Sequence, residues 1–152
     1  MGDRFDYWIS GVNVQVQNPS AVHQMMRYTW GTDISQDYNK KENKRSENWF
    51  HFAIPTPTML DGDKVDYKHA YIQGFINDHA YIKRVVISHG GANKYKRIFE
   101  GNYNITGKDF KQDFDLPDER CTRSITISVR VEFEDGGRVV FGGAGVHFME
   151  HY

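Results

Sequence analysis

The stretch Ser124–Phe133, "SITISVRVEF", decides the fold. Ile125, Ile127, Val129, Val131 and Phe133 occupy every second position, with Thr126, Ser128, Arg130 and Glu132 between them. Successive side chains of a strand point to opposite faces, so this pattern spells a strand buried on one side and wet on the other. Weaker alternation recurs in "WISGVNVQVQ" (8–17), "WFHFAI" (49–54), "VDYKHAYIQGFI" (65–76), "YIKRVVISH" (81–89), "YKRIFEGNYNI" (95–105) and "RVVFGGAGVHFM" (138–149). About eight short strands, spaced ~8–12 residues apart with turn signals between, predict a sandwich or barrel. The expectation is a single all-β domain over residues 1–152: an antiparallel, jelly-roll-like β-sandwich with little helix. Its core should include Phe50, Phe52, Ile54 and the apolar set of 125–133.

Composition agrees with one globular domain. The chain has 152 residues, 39% apolar, with 14 glycines, which excludes a disordered or collagen-like class. Nineteen basic against twenty acidic residues leave a net charge of −1, so no general field draws the chain to nucleic acid or an anionic membrane. Cys121, the single cysteine, can make neither an internal disulfide nor a zinc knuckle. The opening "MGDRFDYWIS" lacks the cationic end and clean apolar stretch of a secretion signal, and no run approaches ~18 apolar residues. A soluble, cytoplasmic chain is expected, though export by another route would leave no mark.

Between the strands, Asp61-Gly62, His89–Asn93 and Glu134–Gly137 carry turn chemistry. "PSAVHQMMRY" (19–28) fits a short helix after Ser20 and a strand equally well. The polar run Thr32–Asn48 has no apolar period and predicts a long exposed loop over 33–48. If a two-residue turn after Phe133 closes a hairpin, Ile125, Ile127, Val129 and Val131 share a face with Val140, Ala144, Val146 and Phe148. Phe141, His147 and Met149 then lie opposite, His147 beside Ser124 or Thr126.

Seven histidines invite a metal hypothesis, but no H-x-H occurs. The i, i+4 pair His147/His151 sits in a strand-like segment, where that spacing separates ligands, so no metal or other cofactor is expected. His51 and His69 would approach each other across a hairpin at Asp61-Gly62. Its simplest register sets His69 against Ile54 and His51 against Ile72, on opposite sides of the sheet, and a bulge at Pro55 or Pro57 would reunite them. Asp61, Asp63 and Asp66 resemble part of a calcium loop without its distal glutamate, which reads better as a polar turn. "SHGG" (88–91) has no nucleophile elbow to serve, and "GGAG" (142–145) opens no helix, so neither an esterase nor a phosphate loop follows. The cations Lys40, Lys41, Lys44 and Arg45, and Lys94, Lys96 and Arg97, are balanced by acids and read as solvated loops.

At "WISGVNVQVQNP", "RYTWGT", "NWFHFAIPTP" and "VVFGGAGVHF" the chain resembles a family of small uncharacterised microbial β-sandwich proteins. The resemblance spans Trp8 to about Phe148 and implies the sandwich fold but no settled activity, cofactor or catalytic residue. Against that family the Gln36–Asn48 stretch looks like an insertion, and the "MEHY" tail looks extra.

Aromatics outnumber what a small core needs, which suggests contact surfaces. Three functional expectations follow. The first is a non-catalytic binding or self-associating module forming a homo-oligomer. The second is a small pocket enzyme of isomerase or cyclase type, binding a small apolar ligand and using His51, His69, Tyr67 or Tyr71 for proton transfer. The third is a lectin-like module holding carbohydrate through Trp30, Trp49 and Asp63.

Overall fold

A computed structural model describes residues 4–60, 62–90 and 95–151. Twelve strands lie among them: β1 (Arg4–Ser10), β2 (Gln15–Val16), β3 (Gln24–Tyr28), β4 (Gly31–Gln36), β5 (Ser46–Ile54), β6 (Met59–Leu60), β7 (Asp63–Ile76), β8 (Ala80–His89), β9 (Lys96–Ile105), β10 (Lys108–Arg120), β11 (Ile125–Phe133) and β12 (Gly137–His151). All pair antiparallel. One sheet has seven strands, in the order β10-β7-β12-β4-β3, with β1 also on β12 and β6 on β7. The other has five, in the order β2-β5-β11-β8-β9. The chain repeatedly crosses from one sheet to the other, as in a jelly roll. Between the sheets lie Phe50, Phe52, Phe133, Phe141 and Phe148, all fully buried, with the aliphatic set of β11. The expected β-sandwich and the expected core are both present.

The strand count exceeds eight because polar residues form strands where they find partners. Most of the expected 33–48 loop is strand: β4 and β5 leave only 37–45 as connection. In β4, Thr32 and Gln36 are buried with Ile34. Thr32 Oγ1 donates to the Gly11 carbonyl at 2.8 Å, Gln36 Nε2 to Ser46 Oγ at 2.9 Å, and Asn48 Nδ2 to Gln36 Oε1 at 3.0 Å. Hydrogen-bonded polar side chains can occupy core positions that periodicity assigns to apolar ones. The ambiguous 19–28 stretch divides into a 3-10 turn, Pro19–Ala21, and the strand β3.

Two expected hairpins do not form, for one reason. Strand β11 is bonded on both sides, to β5 and β8, so β12 finds no free edge there and crosses to the other sheet after the turn closed by Gly137 N–H to the Glu134 carbonyl at 2.9 Å. Likewise β5 lies between β2 and β11, whereas β7 lies between β12 and β10. Pro55 and Pro57, which lack ladder donors, follow β5, and the chain crosses between sheets there. Gly62 turns the chain from β6 into β7; Asp61 lies outside the described residues, so neither the turn pair nor the acidic triplet is described in full. His51 and His69 are therefore in different sheets.

A register shift at Gly142 sets what β12 presents. Before it Val139 and Phe141 face the core; after it Ala144, Val146 and Phe148 do, and Gly143, Gly145 and His147 turn outward. One extra residue in a strand exchanges its faces. Phe141, expected on the outside, is instead wholly buried, its ring 5.2 Å from that of Phe50 and 5.3 Å from that of Phe52. His147 lies outside the core as expected, but its neighbours come from β1 and β7, not from β11.

Candidate functional site

The four proton-transfer candidates do not all meet: His69 and Tyr71 share one depression, and His51 and Tyr67 lie elsewhere. His51, on the outer face of the five-stranded sheet, is held through both nitrogens: Nδ1 lies 2.7 Å from Ser128 Oγ and Nε2 2.8 Å from Gln17 Oε1. An amide oxygen only accepts, so Nε2 carries the proton and Nδ1 accepts from the serine hydroxyl. Burial holds the His51 pKa below its ordinary value. Neither nitrogen remains for substrate. Tyr67 faces inward, donating to Glu119 Oε2 at 2.9 Å, and Lys96 Nζ reaches the same oxygen at 3.0 Å. Burial and the Glu119 hydrogen bond push the Tyr67 phenol well above its usual range. Nearby His89 is buried, its Nε2 accepting the backbone N–H groups of Thr122 and Arg123 at 3.2 and 3.1 Å.

The expected carbohydrate contacts are equally dispersed. Trp30 stands 56% exposed in the β3–β4 turn, stacked on Tyr28 at 4.8 Å. Trp49 is half-buried on the outer face of the five-stranded sheet, coplanar with His51 at 6.4 Å. Asp63 begins β7, across from Leu60.

His69 and Tyr71 do come together, on the outer face of the seven-stranded sheet. A register shift at Lys68 turns both outward while Tyr67 points in. Antiparallel register then composes two cross-strand rows from β1, β12, β7 and β10. One row reads Asp6–His147–His69–Asp115, and the next reads Trp8–Gly145–Tyr71–Asp113. Asp6, His69, Tyr71, Asp113, Asp115 and His147 line an open depression of about 370 Å³.

Its geometry has three parts. Trp8, 49% exposed, lies 4.2 Å from Tyr71, ring centroid to ring centroid. This contact depends on Gly145: a Cβ there would meet the Tyr7 carbonyl oxygen and the Tyr71 ring, each at 2.7 Å. Second, His69 Nδ1 is 2.9 Å from Asp115 Oδ1 and His147 Nδ1 is 2.8 Å from Asp6 Oδ1, with the two imidazoles 6.1 Å apart. A carboxylate fixes the Nδ1–H tautomer and leaves each Nε2 to accept a hydrogen bond from outside. Third, some groups are unfinished. Tyr71 is 9% exposed and its Oη is buried without a hydrogen-bond partner; Asp113, beside it, makes no side-chain hydrogen bond or ion pair among the described residues. Burial first, then the adjacent Asp6 carboxylate through its charge and its closeness to the hydroxyl, and last the Asp113 charge, drive the Tyr71 phenol well above its usual range. A buried hydroxyl without a partner costs about 1–3 kcal/mol.

Trp8, Asp6, Asp113, Asp115 and His147 were not among the expected site residues. The alternation of Arg4, Asp6 and Trp8 in "RFDYWIS" puts them on one face, and this was the available signal; which strands border that face is long-range information. Among the described residues no group of three or more His, Cys, Asp and Glu side chains is arranged to hold a metal ion, and the side chain of His151 lies outside them. No helix among them is long and apolar enough to cross a membrane.

Comparison with solved structures defines the class first. The fold is similar to a family 61 carbohydrate-binding module in complex with β-1,4-galactotriose, at 12% identity and TM-score 0.52 over 90% of this chain and 89% of that one. It is similar also to a xylan-binding module of family 15, at 8% identity and TM-score 0.52 over 97% of each chain. At such identities the likeness is one of fold, a β-sandwich. The chain itself belongs to DUF6623, a family of unknown function, matched over residues 1–142. No curated protein matches it.

Proposed function

We propose that this chain is a non-catalytic carbohydrate-binding module whose ligand lies across the outer face of the seven-stranded sheet. The observation that carries the reading is the Trp8–Tyr71 platform over Gly145, flanked by acceptors and by a phenol without a partner. Sugar rings are apolar on their faces and bristle with hydroxyls at their edges. A half-exposed indole suits the first, and Asp6, Asp113, His69, His147 and Tyr71 Oη suit the second. Both structural neighbours are carbohydrate-binding by name, which supports the same reading for a sandwich with such a face. The test is a glycan array, with calcium and with chelator, followed by titration of Trp8→Ala. Binding that survives Trp8→Ala, or no binding to any glycan, ends the proposal.

A specific feature favours self-association as a second property. Strand β3 is a sheet edge with β4 as its one ladder partner among the described residues, exposed at every position. It carries Met25, Met26 and Tyr28, with Trp30 beyond, at 38–56% exposure. Arg27 holds the strand in place by donating to the carbonyls of Val12 and Val14. An ordered apolar edge is a template for another copy of itself. Sedimentation at micromolar concentration should show an oligomer that Met26→Lys disperses; a monomer throughout would refute it.

A further inference from the structure

We infer that the depression selects sugars bearing a free amine, 2-amino-2-deoxyhexose units, over their neutral and acidic counterparts. This rests on the carbohydrate reading and gives it a ligand class.

The polar lining is almost wholly accepting. Asp6, Asp113 and Asp115 are carboxylates, and the two imidazoles, each spending Nδ1–H on a carboxylate, present Nε2 as an acceptor. Asp6 and Asp115 thus have donors, while Asp113 has none. It stands directly across the β7–β10 ladder from Tyr71, whose Oη is buried and unpartnered. Lys111 shares the outer face of β10 one row away, against Gln73, and among the described residues no ion pair joins it to Asp113. Lys68 is engaged with Asp118. Arg4 lies beyond the rows, opposite Met149.

A hexose seated on Trp8 with its edge toward Asp113 would bring a ring substituent to that exposed carboxylate. A hydroxyl there supplies one donor. An ammonium supplies three, with a charge that meets an unpaired carboxylate, and charge-assisted hydrogen bonds are roughly twice as strong as neutral ones. A uronate or sulfate would face three carboxylates and be repelled.

The test uses three β-1,4-linked oligosaccharides of equal length that differ only at C2: glucosamine, N-acetylglucosamine and glucose. Calorimetric titration near neutral pH should show the amine form binding about tenfold more tightly than the other two, with the preference shrinking as salt rises. In Asp113→Asn, checked for folding by its thermal melt, the preference should fall to about twofold or less. Equal or weaker binding of the amine form, or a preference that persists in Asp113→Asn, overturns the inference. If the amine form is not preferred but a neutral oligosaccharide binds, the carbohydrate reading stands and this inference alone falls. If no glycan binds, both fall.

Discussion

On the outer face of the five-stranded sheet most polar groups occupy one another. His51 is held between Ser128 and Gln17, Arg84 by Glu100 and Asn102, and Arg130 by Glu47 and Glu132, with its buried Nε left without a partner. On the outer face of the seven-stranded sheet Trp8 is half exposed, Tyr71 Oη is buried without a partner, Asp113 is unpaired, and two imidazoles keep a free nitrogen. Strand geometry is the same on both. One face is nearly finished by its own side chains, Arg130 Nε excepted, and the other is left open at several groups, and that concentration of unfinished groups locates the site better than residue type does. A histidine or tryptophan alone would have pointed as readily to His51 and Trp49.

The contrast can be broken at several points. Deleting Gly142 has the largest expected effect: without the bulge, either Val139 and Phe141 or Ala144, Val146 and Phe148 must leave the core. A loss of roughly 5 kcal/mol or more is expected, seen as failure to give a cooperative melt. Next, Trp8→Ala should weaken glycan binding by about 2 kcal/mol, roughly thirtyfold, while Trp49→Ala on the finished face leaves affinity unchanged by calorimetry. Equal losses would erase the distinction between the faces. Gly145→Ala should cost about 1–3 kcal/mol of stability in urea titration and displace Tyr71 from Trp8, because the new methyl meets backbone as well as ring.

A smaller effect concerns pH. His89 is held below its ordinary pKa by burial first and then by the charge of Arg123, and His51 by burial. The unfolded chain protonates both near pH 6.5, the folded chain only at lower pH. Their stability contribution is therefore complete above about pH 6.5 and is lost as pH falls below it. Urea titrations across this window should show that loss, and His89→Gln should flatten it. A stability that rises on acidification would contradict the sign. Smallest of all, His51→Gln should alter stability by about 1 kcal/mol and leave glycan binding untouched.

Much of the fold was legible, and for identifiable reasons. Strand β11 is read directly from Ile125 to Phe133, since a strand buried on one face records that burial at every second position. Strand β10 escapes the same reading: Phe110, Phe114 and Leu116 are its buried residues, set among charges and interrupted by Pro117. Partner choice was not legible. The turn after Phe133 forms where expected, yet which edge accepts β12 depends on β5 and β8, distant in sequence. The site shares that fate. His69 and Tyr71 were named among the candidates, but Asp6, Trp8, Asp113 and Asp115 join them only through ladders linking positions some forty to well over one hundred residues apart.

Strand β1 contributes both Trp8 and Asp6, and among the described residues it is bonded along one side alone, to β12. A strand so attached can peel away at far less free energy than global unfolding requires. Occupancy of the platform and attachment of this strand are then one linked equilibrium, and a ligand that grips Trp8 would slow amide hydrogen exchange across Arg4–Ser10 beyond any slowing elsewhere in the sandwich.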